Sequence, residues 1–553
     1  MGGMVMKLKK LLSAVIACFL MFSTPLLPCE NLPIKIQAGA EEEYMPEDYN
    51  GLFYYKKYSD HIEIIGTVDK ESLATLEIPS EIDGLPVTVI GNSVFYGCTN
   101  LTSVTIPDSI TSIEKSAFEK CTNLTSVIIP ESVTDIEAYA FVDCASLTSL
   151  TIPENITTIE NAVFAGCISL TSVTIPNSVT KIKDEAFYGC TNLTSVTIPE
   201  SLTYIGGRAF LCCEKLISIT IPESVTHIGG GAFGNTPWIA DRREENPLVI
   251  VNGMIIDGSK YSEDTLIIPD NVKSVAEYAF SDNDKLTSVI IPESVTSVGS
   301  SAFYCCTNLI SITIPESLTY IGGGAFGYTP WMTEKQKENP LVIVNNILID
   351  GHECWDDVVI PDNVTAISGG VFSCRYRALT SVTIPNSVTY IGEGVFTSCK
   401  SLTSLTIPES VTYIGRHQFT DCESLTSLII KNPECELSEM FDDIEWKQRP
   451  DLLTVYGYEG STAQACAEKN KYAFKILDDS SEEIIYGDAN DDKKISISDA
   501  VAILQNLANA EKYPLSEQGK INADVDGEAG ITGKDAAAIQ MYDAGVLTEL
   551  PVR

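Results

Sequence analysis

The sequence predicts a β-rich solenoid of 23-residue repeats with parallel strands, followed by a small all-α domain. Three observations predict it. Ile-Pro pairs recur with their prolines at 107, 130, 153, 176, 199 and 222, then at 269, 292 and 315, and again at 361, 385 and 408. Between them the same apolar pattern returns, as in "LTSVTIPDSITSIEKSAFEKCTN" (Leu101–Asn123) and "LTSVIIPESVTDIEAYAFVDCAS" (Leu124–Ser146). Near the end, two loops of oxygen-bearing residues about 36 positions apart each run into the same apolar helical start. A chain of 553 residues exceeds one ordinary core, so an array or several domains is required. The net charge of −39 argues against nucleic acid or an anionic membrane surface as partner, since both need a basic face. It suits a soluble, extracellular protein that holds cations.

Residues 1–40 read as an export signal. Lys7, Lys9 and Lys10 precede an apolar stretch from Leu11 to Leu27, and Ala38-Gly39-Ala40 is a small-residue cleavage site. The alternatives are a membrane anchor, for which the stretch is short and broken by Pro25 and Pro28, and a lipoprotein beginning at Cys29, where Pro28 fits a lipidation signal poorly. No later span is expected to cross a membrane. Residues 41–72, with "GLFYYKKYSDHIEIIGTV" (Gly51–Val68), read as an N-terminal β cap.

In each repeat of 73–431 a strand comes first. Leu101, Val104 and Ile106 point inward while Ser103 and Thr105 point out, in residues that favour a pleated surface. Pro107 ends the strand, since it cannot donate to a ladder. Ile110, Ile113, Ala117, Phe118 and Cys121 then return the chain to the same core. One unit cannot bury its own apolar side, whereas stacked units can. Roughly sixteen coils are expected, with a β-helix as the structural alternative. Two longer units, Thr236–Gly258 and Thr329–Gly351, share "TPW" and "ENPLVIVN" and predict irregular coils.

Cys98, Cys121, Cys144, Cys167, Cys190, Cys213, Cys306, Cys399 and Cys422 each follow the repeat phenylalanine by three residues. They are expected to stack as buried thiols, because side chains on successive rungs of about 4.8 Å run parallel and do not face each other. Cys212, Cys305, Cys354, Cys374, Cys435 and Cys466 are left open between thiol and disulfide. The outward Ser/Thr pairs (103 and 105, 149 and 151, 172 and 174, 195 and 197, 218 and 220, 311 and 313, 381 and 383, 404 and 406) make a hydroxyl stripe that either binds a protein or glycan or simply faces water. Tyr204, His227, Tyr320, Tyr390 and Tyr413 share one register on the return segment and either line an edge or pack. None of the four histidines lies beside a nucleophile motif, so no catalytic residue is expected.

Residues 432–478, with "LLTVYGYEGSTAQACAEKNKYAFKIL" (Leu452–Leu477), resemble the usual closing unit of such a repeat array and are expected to cap it with a strand and a helix, and 479–484 read as a polar linker. In 485–553, loops with ligands at positions 1, 3, 5, 7, 9 and 12 suit calcium. The first offers Asp488, Asn490, Asp492, the Lys494 carbonyl, Ser496 and Asp499. The second offers Asp524, Asp526, Glu528, the Gly530 carbonyl, Thr532 and Asp535. Lys493 and Ala529 stand at position 6, where glycine normally makes the bend.

"LTSVTIPESVTxIGxxAFxxC" resembles the BspA-like leucine-rich repeat of bacterial surface proteins, and the duplicated loop-helix resembles a type I dockerin domain. The resemblance implies a β-rich leucine-rich repeat solenoid followed by a small all-α calcium-binding dockerin domain. It further implies two Ca2+ ions, and docking onto a cohesin module of a scaffoldin through positions 10 and 11 of each loop, here Ile497, Ser498, Gly533 and Lys534. Those pairs differ, so one preferred orientation is expected. The functional expectation is a secreted, non-catalytic cellulosome component whose repeats bind protein or glycan. The alternatives are a surface adhesin outside any cellulosome and a polysaccharide-degrading enzyme with its site in the solenoid.

Overall fold

The computed structural model describes residues 48–49, 52–68, 70, 72–373, 379–437 and 453–477, and towards the C-terminus 486, 488–490, 495–510, 512–515, 520, 522–525, 531–544, 546–547 and 550. The expected export signal, the linker and Cys374 lie outside the described residues. The chain winds into a parallel-strand solenoid of about 17 turns, close to the expected number. Strands Asp48–Tyr49, Phe53–Lys57 and Ile62–Thr67 open it as an antiparallel set, and Ile62–Thr67 then pairs parallel with Leu85–Ile90.

Each regular coil carries two short strands, for example Ser103–Thr105 and Ser112–Ile113. Both pair in register with the strands 23 residues on, Ser126–Ile128 and Asp135–Ile136. The inward set is as expected: Leu101, Ile110, Ile113, Ala117, Phe118 and Cys121 are fully buried, and Val104 and Ile106 nearly so. The phenylalanines form a column, with Phe118 stacked on Phe95 at 5.1 Å and on Phe141 at 5.3 Å. Beside it runs a column of cysteines. Cys121 Sγ donates to the Phe95 carbonyl one coil back at 3.3 Å, and Cys144, Cys167, Cys190 and Cys213 repeat this contact. These are free thiols, and burial pushes Cys121 and Cys213 up to about 12. Cys212, Cys435 and Cys466 are thiols too, so Cys212 and Cys305 are not joined.

Threonine is repeated for a local reason. Thr125 Oγ1 donates to the Thr102 carbonyl at 3.1 Å, and Thr148 Oγ1 to that of Thr125 at 3.2 Å. A second such ladder runs through Thr180, Thr203 and Thr226. The hydroxyls give turn carbonyls a second partner, so part of the Ser/Thr richness is structural. Two turn positions per coil are left-handed, including non-glycine residues such as Tyr139, Arg208, Lys120 and Cys212. Each costs about 1–2 kcal/mol. Backbone bonds between coils hold them there: Arg208 N donates to Gly230 O at 3.0 Å and Cys212 N to Gly234 O at 2.9 Å.

The two longer units do more than widen a coil. Each begins with a helix, α1 (Pro237–Glu245) and α2 (Pro330–Glu338), N-capped by Thr236 and Thr329 with proline in the first turn. Trp238 caps the phenylalanine column against Phe233 at 4.6 Å, and Trp331 meets Phe326 at 5.3 Å. A hairpin follows, Val249–Val251 with Met254–Asp257, and its twin is Val342–Val344 with Ile347–Asp350. The hairpins open the second-strand ladder of the coils that follow, pairing Met254 with Ser274 and Ile347 with Ala366, while the ladder before them ends at Ile228 and Ile321. The helices stand where the first-strand ladder would continue, so that ladder is interrupted between Ile219 and Thr265 and between Thr313 and Asp356.

The turn after the second strand is missing from both longer units, so flanking coils meet there directly. Gly230 N donates to Glu277 Oε2 at 3.4 Å and Ser368 Oγ to Ile321 O at 2.5 Å, each across 47 residues. A helix on one side and a deletion on the other make a wedge, and the stack bends toward the second-strand turns. Glycines tighten that edge: a Cβ on Gly229 would lie 2.4 Å from Gly207 N. Strand Thr454–Gly457, helix α3 (Thr462–Asn470) and strand Ala473–Ile476 close the last coil, burying Ala463 and Ala467.

Two substitutions check this packing. Phe187→Ala empties a rung of the column and should cost about 3–5 kcal/mol, and Gly229→Ala should cost about 1–3 kcal/mol by overpacking. Denaturant melts of the solenoid transition measure both.

Candidate functional site

The C-terminal loops are built around two helices, α4 (Ile497–Ala508) and α5 (Gly533–Asp543), and each starts at a capping box. Ser496 Oγ accepts from Ser498 N at 3.3 Å, while Asp499 Oδ2 accepts from Ser496 N at 2.8 Å. In the second copy Thr532 Oγ1 accepts from Lys534 N at 3.1 Å and Asp535 Oδ2 from Thr532 N at 2.7 Å. The other carboxylate oxygen reaches back to the loop start: Asp499 Oδ1 accepts from Asn490 N at 3.1 Å, and Asp535 Oδ1 from Val525 N at 2.7 Å. Each position-12 aspartate therefore ties the helix to its own loop. The copies are joined by Asn522 Nδ2, which donates to the Asp488 carbonyl at 3.1 Å.

Asp488, Asp499 and Asp535 are at most 1% exposed. Buried carboxylates need compensating charge, and the described hydrogen bonds to Asp499 and Asp535 come from backbone N–H groups and the Ser496 and Thr532 hydroxyls. A hard cation fits this donor chemistry. Asp488, Asn490, Ser496 and Asp499 are described in the first loop, and Asp524, Thr532 and Asp535 in the second. Asp492, Lys494, Asp526, Glu528 and Gly530, with Lys493 and Ala529, lie outside the described residues. Among the described residues no three His, Cys, Asp or Glu side chains group as a metal site, and the expected middle ligands of each loop are not among them.

Ile497, Ser498, Gly533 and Lys534 are exposed on the first turns of α4 and α5. Beyond them α4 carries Val501, Leu504 and Leu507, and with Ile497 these four are between 44% and 59% exposed. The equivalent residues of α5 are Gly533, Ala537, Gln540 and Asp543. Sequence reasoning singled out only the first turn. The signal for the rest was present, since apolar residues at 497, 501, 504 and 507 keep the helical period beside a separate buried face of Ala500 and Ile503.

On the solenoid, the expected Ser/Thr stripe faces outward but is broken by α1 and α2. The aromatic register lies on the second-strand ladder, on the inside of the bend. Tyr204 stacks on His227 at 4.5 Å and Tyr390 on Tyr413 at 5.1 Å, while Tyr320 meets Tyr390 edge-on at 6.2 Å. Arg416 reaches Asp184, 232 residues earlier, at 3.4 Å and lies 3.8 Å from Glu393. Burial lowers the His227 imidazole below its usual range and raises the Glu277 carboxyl above its own. A half-exposed ion pair is worth about 1 kcal/mol at most. The wedges bend the stack, and the Arg416–Asp184 contact follows from the bend.

The family model described as BspA type leucine rich repeat region matches in six copies, over residues 68–182, 134–243, 259–377 and 349–442. The model described as Dockerin type I domain matches residues 486–542. A xylanase/beta-glucanase of Ruminococcus flavefaciens is 43% identical over 75 residues, which is 12% of this chain, and the chain spans 9% of that relative. Among solved structures, a leucine-rich repeat protein from Bacteroides ovatus is 24% identical, covering 78% of this chain and 100% of its own, with a TM-score of 0.36. A leucine rich cell surface protein from Faecalibacterium prausnitzii is 25% identical, covering 69% of this chain and 94% of its own, with a TM-score of 0.31.

The capping role of the position-12 aspartates is separable from any ion. In chelator, Asp499→Ala and Asp535→Ala should each lower helix stability by about 1 kcal/mol, seen as lost helical circular dichroism at a given temperature.

Proposed function

Because this chain belongs to the BspA-type leucine-rich repeat family and ends in a type I dockerin domain, we propose that it is a secreted, non-catalytic component of a cellulosome-type assembly. The dockerin attaches it to a cohesin module of a scaffoldin. The repeats serve as its binding half, for protein or glycan.

Two Ca2+ ions complete the loops in this reading. Asp488, Asn490, Asp492, the Lys494 carbonyl, Ser496 and Asp499 hold one. Asp524, Asp526, Glu528, the Gly530 carbonyl, Thr532 and Asp535 hold the other. The ion supplies the positive charge that lets several carboxylates share a small buried volume. Asp499 and Asp535 then couple ion binding to the start of α4 and α5, so the docking helices are set by calcium.

The observation that carries the reading is the exposed stripe of Ile497, Val501, Leu504 and Leu507 along α4, next to a loop of buried carboxylates. An apolar helix face left in water marks a helix-in-groove contact. α5 offers Gly533, Lys534, Ala537 and Gln540 at the matching places, so the two helices present different chemistry and one docking orientation is favoured.

The full chain should be retained on an immobilised cohesin module in calcium and released by chelator. Leu504→Asp should weaken retention at least about tenfold, whereas Gln540→Ala should leave it unchanged. Retention that ignores chelator would overturn the calcium role. Sugar release from xylan or β-glucan by the purified chain would overturn the non-catalytic reading.

A further inference from the structure

The repeats supply their own internal comparison. At the first residue of the second strand, early coils carry Ser112, Asp135, Thr158 and Lys181. Among the later coils Tyr204, His227, Tyr320, Tyr390 and Tyr413 stand there, interspersed with Ser274, Ser297, Ala366 and Glu436. The core is equally well made with either set, since the next residue, for example Ile113, Ile182, Ile205 or Ile414, is buried throughout. The rings are therefore not demanded by packing within a coil. They appear where the bend folds the ladder toward itself, beside the contact between Arg416 and Asp184.

The local chemistry is specific. Stacking covers one face of each ring in the Tyr204–His227 and Tyr390–Tyr413 pairs. Tyr320 and Tyr390 meet across the rungs of Ile347 and Ala366. Around them stand the carboxylates of Asp184, Glu277 and Glu393 and the guanidinium of Arg416. Three negative groups face one positive group, in a chain of net charge −39.

We propose that this aromatic hollow is a docking surface for a protein segment bearing lysine or arginine side chains. Tyrosine and arginine dominate protein interfaces because they bring large, stiff, amphipathic surface at low entropic cost. The surplus carboxylates complement a cation and speed its encounter. The proposal rests on the reading that the repeats are the binding half of the molecule, and it places the contact inside the bend, away from the interrupted Ser/Thr stripe.

The test titrates the full chain with tetralysine, tetraglutamate and cellohexaose by calorimetry at about 0.15 M salt, where diffuse surface attraction is screened. Tetralysine should bind saturably at one site per chain. Glu393→Gln and the pair Tyr390→Ser with Tyr413→Ser should each weaken it at least about tenfold. Serine already occupies this place at Ser274 and Ser297, and the isosteric glutamine keeps the test valid if the serine pair unfolds. Glu244→Gln with Glu245→Gln, on the exposed side of α1, should have no effect. Equal weakening by that control, many weak sites, no binding, or preference for cellohexaose would overturn the proposal. Cohesin retention of the same variants, measured in parallel, reads the dockerin function independently.

Discussion

A coil of 23 residues can neither bury its apolar side nor satisfy its own backbone, and the structure depends on how the neighbouring coil does both. Every described strand is only two to six residues long, so no coil is a stable sheet alone. Stability comes from repetition at fixed offset: strand on strand, Phe on Phe, Cys Sγ on the phenylalanine carbonyl one coil back, Thr hydroxyl on the threonine carbonyl one coil back. Because each contact is made to the equivalent place, an error in one coil's length would misplace all of them at once. That is the physical reason the period is so strict.

The same constraint explains what the array tolerates. Left-handed turns filled by tyrosine, arginine or lysine would be unfavourable in an isolated loop, yet the carbonyls of the next coil hold them. It also explains how the array changes direction. A longer unit must still offer a rung to both neighbours. Its hairpin pairs with the coil that follows, its capped helix packs on the coil before, and the missing turn pinches the flanking coils together. Curvature here is the product of two insertions and a row of glycines.

The C-terminal module obeys a different rule. Among the described residues its core is built mainly from Ala489, Ala500, Ile503, Ala523, Val525, Ala536, Ala538 and Ile539. A domain of this size has a small core and often depends on something further. The buried aspartates at the end of each loop cap the helices that follow. Apolar residues that could have enlarged the core point outward along α4 instead.

Much of this was legible in the residues. Period, strand placement, the inward set of Leu101 to Cys121, the thiol column and the duplicated oxygen loops all follow from local spacing, because each is decided within one coil or one loop. The longer units were visible as irregular, but their helix-and-hairpin form was not. Thr-Pro-Trp is a helix start only when a neighbouring column needs a cap. The stripe along α4 was written in the sequence, yet its exposure could not be read there, because periodicity marks a face without saying what covers it. The tyrosine register was also written there, and its meaning was not. Whether Tyr204, Tyr390 and Arg416 share a surface with Asp184 depends on small rotations summed over many coils and on two wedges. Coil and loop follow from the residues alone, since both are short-range. Which distant coils face one another is settled in three dimensions, because curvature is a property of the whole stack and of no single repeat.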